Sequence, residues 1–94
     1  MLSSSPIDMD KLSKSSIDKE ILRLGIIAEL DAVNLYEQLA AKTENKDIKK
    51  VILDIAKEEK THVGEFQALL LMLDKQQAEE LEEGKKEVEK EIAK

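Results

Sequence analysis

The sequence contains no cysteine, no tryptophan and a single proline among its 94 residues. The absence of cysteine excludes disulfides and thiolate metal sites, so any bound metal must take oxygen and imidazole ligands. One tyrosine and one phenylalanine are the only aromatic residues, so a folded core must be mostly aliphatic. The longest apolar run, 68–73, is far shorter than the roughly 20 residues that cross a bilayer. No signal segment is recognisable at the start, and we expect a cytoplasmic protein.

Positive charge is also scarce relative to negative charge. The chain has 21 acidic and 15 basic residues, which gives a formal net charge of -6. This balance argues against nucleic acid or an anionic membrane as a partner and favours cations. A lone core in so short a chain needs support from oligomerisation or from a metal.

Composition divides the chain into three segments. Residues 1–15 are rich in serine, aspartate and lysine and predict a flexible N-terminal arm. Residues 16–74 carry sustained apolar periodicity and predict a helical hairpin. Residues 75–94 are highly charged and predict either a short C-terminal helix, weakened at Gly84, or a linker.

Capping patterns place the two long helices of the hairpin. A pattern that begins at Ser15 predicts a first helix over about 16–43. Asn45 is a suitable N-cap for a second helix over about 46–74. Helices joined by so short a turn lie antiparallel, and a hairpin with one apolar face must bury it against another copy. The sequence therefore predicts an all-α fold that dimerises into a ferritin-like four-helix bundle.

Charged residues interrupt the apolar stripe of each predicted helix. The stripe of the second helix consists of Ile48, Ile52, Ile55, Glu59, His62, Phe66, Leu69 and Leu73. The stripe of the first consists of Leu22, Gly25 or Ile26, Glu29, Ala32 or Val33, Tyr36 and Ala40. Glu29 has no basic residue on its own face with which to pair. A lone histidine on such a stripe is usually a core residue, but three uncompensated polar groups at one depth favour a metal site.

Spacing supports this interpretation. Glu59 and His62 are three residues apart, so they lie on neighbouring turns of one helix face. Di-metal carboxylate bundles take a glutamate from each of two helices and a Glu-x-x-His pair from each of the other two. This chain contains half of that set, and a twofold pair of hairpins would supply the whole of it. Two divalent cations would then balance the four carboxylates.

The run from Glu29 to Tyr36, followed about thirty residues later by Glu58-Glu59-Lys60-Thr61-His62, resembles the encapsulated ferritins. These are half-length ferritins that work inside encapsulin nanocompartments, and the resemblance covers roughly residues 16–74. It implies two-helix chains that pair to form a di-iron ferroxidase centre. It also implies that the pairs assemble into a ring, typically a decamer.

The resemblance also implies roles for individual residues. The iron ligands, which carry the catalysis, would be Glu29, Glu59 and His62. Tyr36 would be a neighbour of the centre, and Asp31 matches an acidic position where iron enters. Its companion at that position is Ala28 here. The encapsulin shell protein would be either a separate partner or a domain fused beyond 75–94.

The expected function is therefore oxidation of Fe²⁺ to Fe³⁺ by O₂ or peroxide, which feeds iron mineralisation inside an encapsulin nanocompartment. A rubrerythrin-like peroxidase is one alternative, although such proteins usually carry four helices and a cysteine-ligated rubredoxin domain in one chain. A metal-free helical oligomerisation or cargo module is another, and it leaves the alignment of the three ligands unexplained. Glu65, three residues beyond His62, could approach the metal in an expanded site.

Overall fold

The computed structural model describes residues 14–94, and it describes side chains from residue 16 onward. The described chain is helical, and its elements are α1 (Lys14–Lys42), α2 (Lys46–Leu73) and α3 (Lys75–Ile92). The predicted N-terminal arm, 1–15, lies outside the described residues apart from its last two, which begin α1. None of the described helices combines the length and the apolar character that a membrane crossing requires.

The start of α1 differs from the predicted one. The described helix begins at Lys14, two residues before the predicted start at about 16. A serine N-cap contributes only about 1 kcal/mol, which does not prevent a helix from extending by a few residues. At the other end α1 stops at Lys42, where a basic residue in the last turn interacts favourably with the helix dipole.

The start of α2 agrees with the predicted one. The side-chain oxygen of Asn45 accepts hydrogen bonds from the backbone N–H groups of Asp47 at 2.9 Å and Ile48 at 3.0 Å. These bonds satisfy two of the amide groups that a helix start leaves unpaired. Asp47 adds a negative charge in the first turn, where the helix dipole favours it. Only residues 43–45 separate α2 from α1.

The short connection makes α1 and α2 an antiparallel hairpin. Glu37, near the end of α1, pairs with Lys60 at 3.0 Å. Arg23, near its start, pairs instead with Asp74 at the far end of α2, at 2.7 Å. The partner on the second helix therefore lies later in the sequence when the partner on the first helix lies earlier, as antiparallel helices require. The predicted all-α hairpin is confirmed.

The core of the hairpin is thin. Its buried apolar residues are Leu22, Val33, Ala40, Ala56 and Leu70. Many larger apolar side chains of the hairpin stay exposed, among them Ile21, Leu35, Leu39, Val51, Leu69, Met72 and Leu73. At about 25 cal/mol per Å² of apolar area, this exposed surface is a large unused source of association energy.

A single residue forms the junction between α2 and α3. The backbone N–H of Asp74 donates to the carbonyl of Leu70 at 2.9 Å and so completes α2. Its carboxylate accepts from the backbone N–H of Gln77 at 3.0 Å, which caps α3, and from Arg23 of α1 at 2.7 Å. Asp74 thus ends one helix, starts the next and ties both to α1.

Beyond this junction α3 leaves the hairpin. Its 18 residues run without a break through Gly84, so the expected local weakening does not interrupt the helix. Every residue from 79 onward is exposed. The apolar side chains Leu81, Val88 and Ile92 are 43%, 58% and 78% exposed, so α3 adds little to the core.

The Asp74 junction predicts a dependence of stability on pH. The Gln77 backbone N–H, and then the Arg23 guanidinium, lower the pKa of Asp74 below its ordinary value of 3.8. A carboxylate whose pKa is lower in the folded state stabilises the fold fully above 3.8 and loses this effect as the pH falls through the lowered pKa. Asp74→Asn keeps a capping oxygen but removes the charge. We expect the wild type to be more stable than Asp74→Asn at neutral pH, and the difference to shrink in acid.

Thermal unfolding of both proteins, followed by circular dichroism from pH 7 down to pH 3, measures this difference. A constant gap between the two unfolding curves across that range would contradict the assigned role of the Asp74 charge.

Candidate metal centre

The three predicted ligands come from the middle of the two long helices. Glu29 lies in α1, and Glu59 and His62 lie one turn apart on one face of α2. The antiparallel course of the hairpin brings the α1 carboxylate opposite that turn. One ligand atom from each residue lies within 4.8 Å of the other two. The structure therefore brings together the residues that the sequence pattern selected.

The imidazole stands between two carboxylates. Nδ1 of His62 is 3.5 Å from Oε2 of Glu29 and 3.5 Å from Oε2 of Glu59. The side chains of Glu29 and Glu59 are 21% and 19% exposed, whereas that of His62 is 46% exposed. The carboxylates are thus largely shielded by the hairpin, and the imidazole lies on its open side.

The donor set fits a divalent cation. Oε2 of Glu29 is buried and, among the described residues, has no hydrogen-bond partner. A buried carboxylate oxygen without a donor is costly, and a cation would satisfy it. Two carboxylates and one imidazole suit Fe²⁺, Mn²⁺ or Zn²⁺. They are half of the ligand set of a di-metal carboxylate bundle.

The ligands open into a groove with a volume of about 350 Å³. It is lined by Glu29, His62, Glu65, Phe66 and Leu69. Leu69 also belongs to a neighbouring apolar groove, which it shares with Ile21, Met72 and Leu73. Glu65 reaches the rim of the ligand groove but lies outside the cluster of three ligand atoms. The centre is therefore a small polar site within an apolar face.

The other two predicted site residues lie away from the cluster. Tyr36 is half-buried in α1, seven residues after Glu29, and does not line the groove. Asp31 is half-buried in the same helix and is not part of the ligand cluster. The role of Tyr36 beside the centre and that of Asp31 in iron uptake stay predictions.

Two contacts near the site were not foreseen from the sequence. The ring of Phe66 lies directly against the backbone of α1 at Gly25. Arg23 bonds to Asp74 across 51 positions of the chain. Gly25 stood as an alternative member of the α1 stripe, but the residue that faces it depends on the register between the helices. A local pattern does not contain that register.

A helical hairpin with a glutamate on one helix and Glu-x-x-His on the other defines a ferritin-like protein. The rubrerythrin family profile matches residues 20–93, and the chain belongs to this family.

Two characterised relatives belong to encapsulin systems by name. The ferritin-like-encapsulin shell fusion protein of Pyrococcus furiosus is 56% identical over 90 residues, which are 94% of this chain and 26% of the fusion protein. The encapsulin nanocompartment cargo protein EncC of Myxococcus xanthus is 38% identical over 68 residues, which are 72% of this chain and 52% of that protein. The chain thus spans about a quarter of one relative and about half of the other.

A solved structure matches the whole described fold. The crystal structure of the encapsulated ferritin domain from Pyrococcus furiosus superposes with a TM-score of 0.83 and 53% sequence identity. The match covers 96% of this chain and 94% of that domain. The predicted resemblance to the encapsulated ferritins is confirmed.

The buried oxygen of Glu29 predicts that Glu29→Gln affects the free energy of unfolding differently in the presence and in the absence of metal. Glu29→Gln keeps the shape of the side chain but removes a buried charge, so the metal-free variant should be at least as stable as the wild type. Zn²⁺ at about a hundred times its dissociation constant should raise the free energy of unfolding of the wild type by about 2.7 kcal/mol. Glu29→Gln should lose most of that gain. Urea unfolding with Zn²⁺ and with a chelator measures both effects.

Glu58→Gln is the matched control, because Glu58 is an exposed neighbour of the ligand Glu59 and its substitution should leave the Zn²⁺ gain intact. Full Zn²⁺ stabilisation of Glu29→Gln would show that Glu29 is not a ligand.

Proposed function

We propose that this chain oxidises Fe²⁺ to Fe³⁺ at a di-iron centre completed between two copies. The observation that carries the proposal is the convergence of Glu29, Glu59 and His62, whose ligand atoms lie within 4.8 Å of one another. Fe²⁺ is the substrate of this reaction, and O₂ or peroxide accepts the electrons. Membership of the rubrerythrin family supports iron as the metal.

The need for a second copy follows from the ligand count and from the exposed surface. One hairpin supplies two carboxylates and one imidazole, which is half of a di-iron set. The groove that holds them lies beside exposed Leu69 and Leu73, which a second hairpin would cover. A twofold axis through the groove duplicates each ligand and closes the bundle. Further assembly of such dimers into a ring, as a decamer, is the expectation that the resemblance provides.

The ligand residues favour oxidation by their charge. Glu29 and Glu59 place negative charge beside the metal in a shielded setting, and such charge stabilises the trivalent ion more than the divalent one. His62 ligates only when it is neutral, so protons compete with the metal for its nitrogen. Binding therefore weakens in acid. The net charge of -6 helps to draw cations toward the site.

An encapsulin nanocompartment is the proposed location of this activity. The names of the relatives support it, since one is a fusion to an encapsulin shell and the other is an encapsulin cargo protein. The shell protein would be either a separate partner or a domain fused to the chain. Fe³⁺ released at the centre would then be mineralised inside the shell, within the cytoplasm.

A rubrerythrin-like peroxidase is the second candidate, and the family match favours it. It differs in using peroxide as its substrate and in requiring a supply of electrons. With no cysteine in these 94 residues, a thiolate iron site that relays electrons would have to lie outside them. A metal-free oligomerisation module is less favoured because it leaves Oε2 of Glu29 buried without a hydrogen-bond partner among the described residues.

Substitution of any single ligand should abolish a centre that both helices build. Glu29→Ala, Glu59→Ala and His62→Ala should each slow Fe²⁺ oxidation by at least about tenfold, since even residues that only support metal ligands cost 10–100-fold. Tyr36→Phe should slow it less. The rise in ferric absorbance after Fe²⁺ is mixed with O₂, or with peroxide in a parallel series, measures the rate. Repeated consumption of peroxide when an external electron donor is supplied would indicate the peroxidase instead.

Glu58→Ala is the control for loss of a nearby exposed carboxylate and should oxidise iron at the wild-type rate. Ligand variants that also keep the wild-type rate would place the reaction elsewhere or remove it from the chain.

Metal should also drive assembly. Because cations neutralise carboxylates that repel one another across the dimer interface, Fe²⁺ should shift the chain from monomer or dimer toward a larger ring. Native mass spectrometry under anaerobic conditions, with and without Fe²⁺, follows the mass distribution. Glu59→Ala should not respond, and a wild-type distribution that Fe²⁺, Mn²⁺ and Zn²⁺ all leave unchanged would contradict metal-linked assembly.

A further inference from the structure

We propose that Gly25 is a positioning residue for the metal centre. Its lack of a side chain lets the ring of Phe66 rest on the backbone of α1, and this contact fixes the spacing of Glu29 and His62. The inference rests on the proposed metal centre and deepens it, since it identifies what holds the two ligand helices at the required distance.

The contact leaves no room for a side chain at position 25. A Cβ atom built on Gly25 would lie 3.1 Å from Cδ1, 3.1 Å from Cε1 and 3.2 Å from Cγ of Phe66. Carbon atoms normally approach to about 3.5–4.0 Å. The backbone dihedral angles do not explain the glycine, because no described residue has a positive φ. Space for the ring is therefore what requires glycine at position 25.

The other two glycines provide a direct comparison. A Cβ atom added at Gly64 or at Gly84 would have no heavy atom of another part of the chain within 4 Å. Gly64 lies in α2, only two residues from His62. The close approach is thus a property of position 25, and position 64 offers a control on the same helix as two of the ligands.

The ring is adjacent to the ligands on both helices. Gly25 lies four residues before Glu29 on α1, and Phe66 lies four residues after His62 on α2. Residues four apart lie on the same helix face, one above the other. Phe66 also lines the groove with Glu29 and His62. A ring displaced by an added side chain would therefore push the helices apart or move within the groove that the ligands line.

The required movement is small for the fold but comparable to the positional tolerance of a metal site. An added methyl group needs a shift of a few tenths of an ångström. A helix accepts Ala better than Gly by about 1 kcal/mol, which offsets part of the steric cost to the fold. Ligand constellations, in contrast, must be held to within about 0.5 Å. The effect of Gly25→Ala should therefore appear in metal binding rather than in folding.

Co²⁺ is a suitable probe, because its visible absorption reports the geometry of its ligands and it is not oxidised under the conditions of the assay. We expect Gly25→Ala to bind Co²⁺ about tenfold more weakly than the wild type, as for other residues that orient metal ligands. Its visible spectrum should differ, while its helical content and unfolding temperature are retained. Gly64→Ala should match the wild type in both affinity and spectrum.

Phe66→Leu provides the rescue. The smaller, flexible side chain leaves room for a Cβ atom at position 25, so adding Gly25→Ala to Phe66→Leu should leave Co²⁺ affinity unchanged or raise it. When Phe66 is present, Gly25→Ala should instead lower Co²⁺ affinity. A change in affinity that depends in this way on Phe66 identifies the contact between the two residues as its cause. If the Gly25→Ala protein does not fold, the Phe66→Leu protein is compared instead with the variant that carries both substitutions, and this comparison tests the positioning role of Gly25.

The outcomes separate the hypothesis of a metal centre from the hypothesis that Gly25 positions its ligands. Wild-type protein that binds no Co²⁺, or that binds it as Glu59→Ala does, would remove the metal centre and this inference with it. A wild type that binds Co²⁺ through Glu59, together with a Gly25→Ala variant of equal affinity and spectrum, would overturn the positioning role alone. A further loss of affinity when Gly25→Ala is added to Phe66→Leu would overturn it as well.

Discussion

Repulsion between the carboxylates of Glu29 and Glu59 is the constraint on which the rest of this structure depends. Their ligand oxygens lie within 4.8 Å of each other, which corresponds to at least about 3.5 kcal/mol of repulsion between two ionised carboxylates at an effective dielectric constant near 20. Nδ1 of His62 stands between them, 3.5 Å from each oxygen. A cation bound by the three residues would offset the repulsion. The stability of this chain and its capacity to bind metal therefore depend on the same two carboxylates.

The distribution of apolar residues is consistent with this repulsion between the carboxylates. The hairpin buries a narrow line of small and aliphatic side chains and leaves larger ones in water beside the ligand groove. A hairpin that buried them internally would also enclose the carboxylates without enough ligands for two metals. In the proposed dimer, the open face would keep the three ligands available to a second copy. The thin core, which looks like a weakness in one chain, is consistent with that proposal.

Much of this arrangement could be predicted because it depends on local chemistry. Helical periodicity selected Glu29, Glu59 and His62, and the capping preference of Asn45 placed the start of α2 correctly. The start of α1 lies two residues before the predicted one, because a serine cap is a weak signal that a few more helical residues override. The contacts of Gly25 with Phe66 and of Arg23 with Asp74 depend on the register of two helices across about 40 residues or more, which no local pattern contains. For α3, a sparse apolar stripe could not distinguish a helix from a linker.

The connection at residues 43–45 sets an order on the formation of these contacts. Chain entropy makes a contact costlier as the loop it closes grows, by about 0.6 kcal/mol for each doubling of loop length. Contacts beside the connection close the shortest loops, those between the ligands close longer ones, and the Arg23 bond to Asp74 closes the longest. Formation from the connection outward is the least costly route, so the ligands meet before α3 is tied to α1.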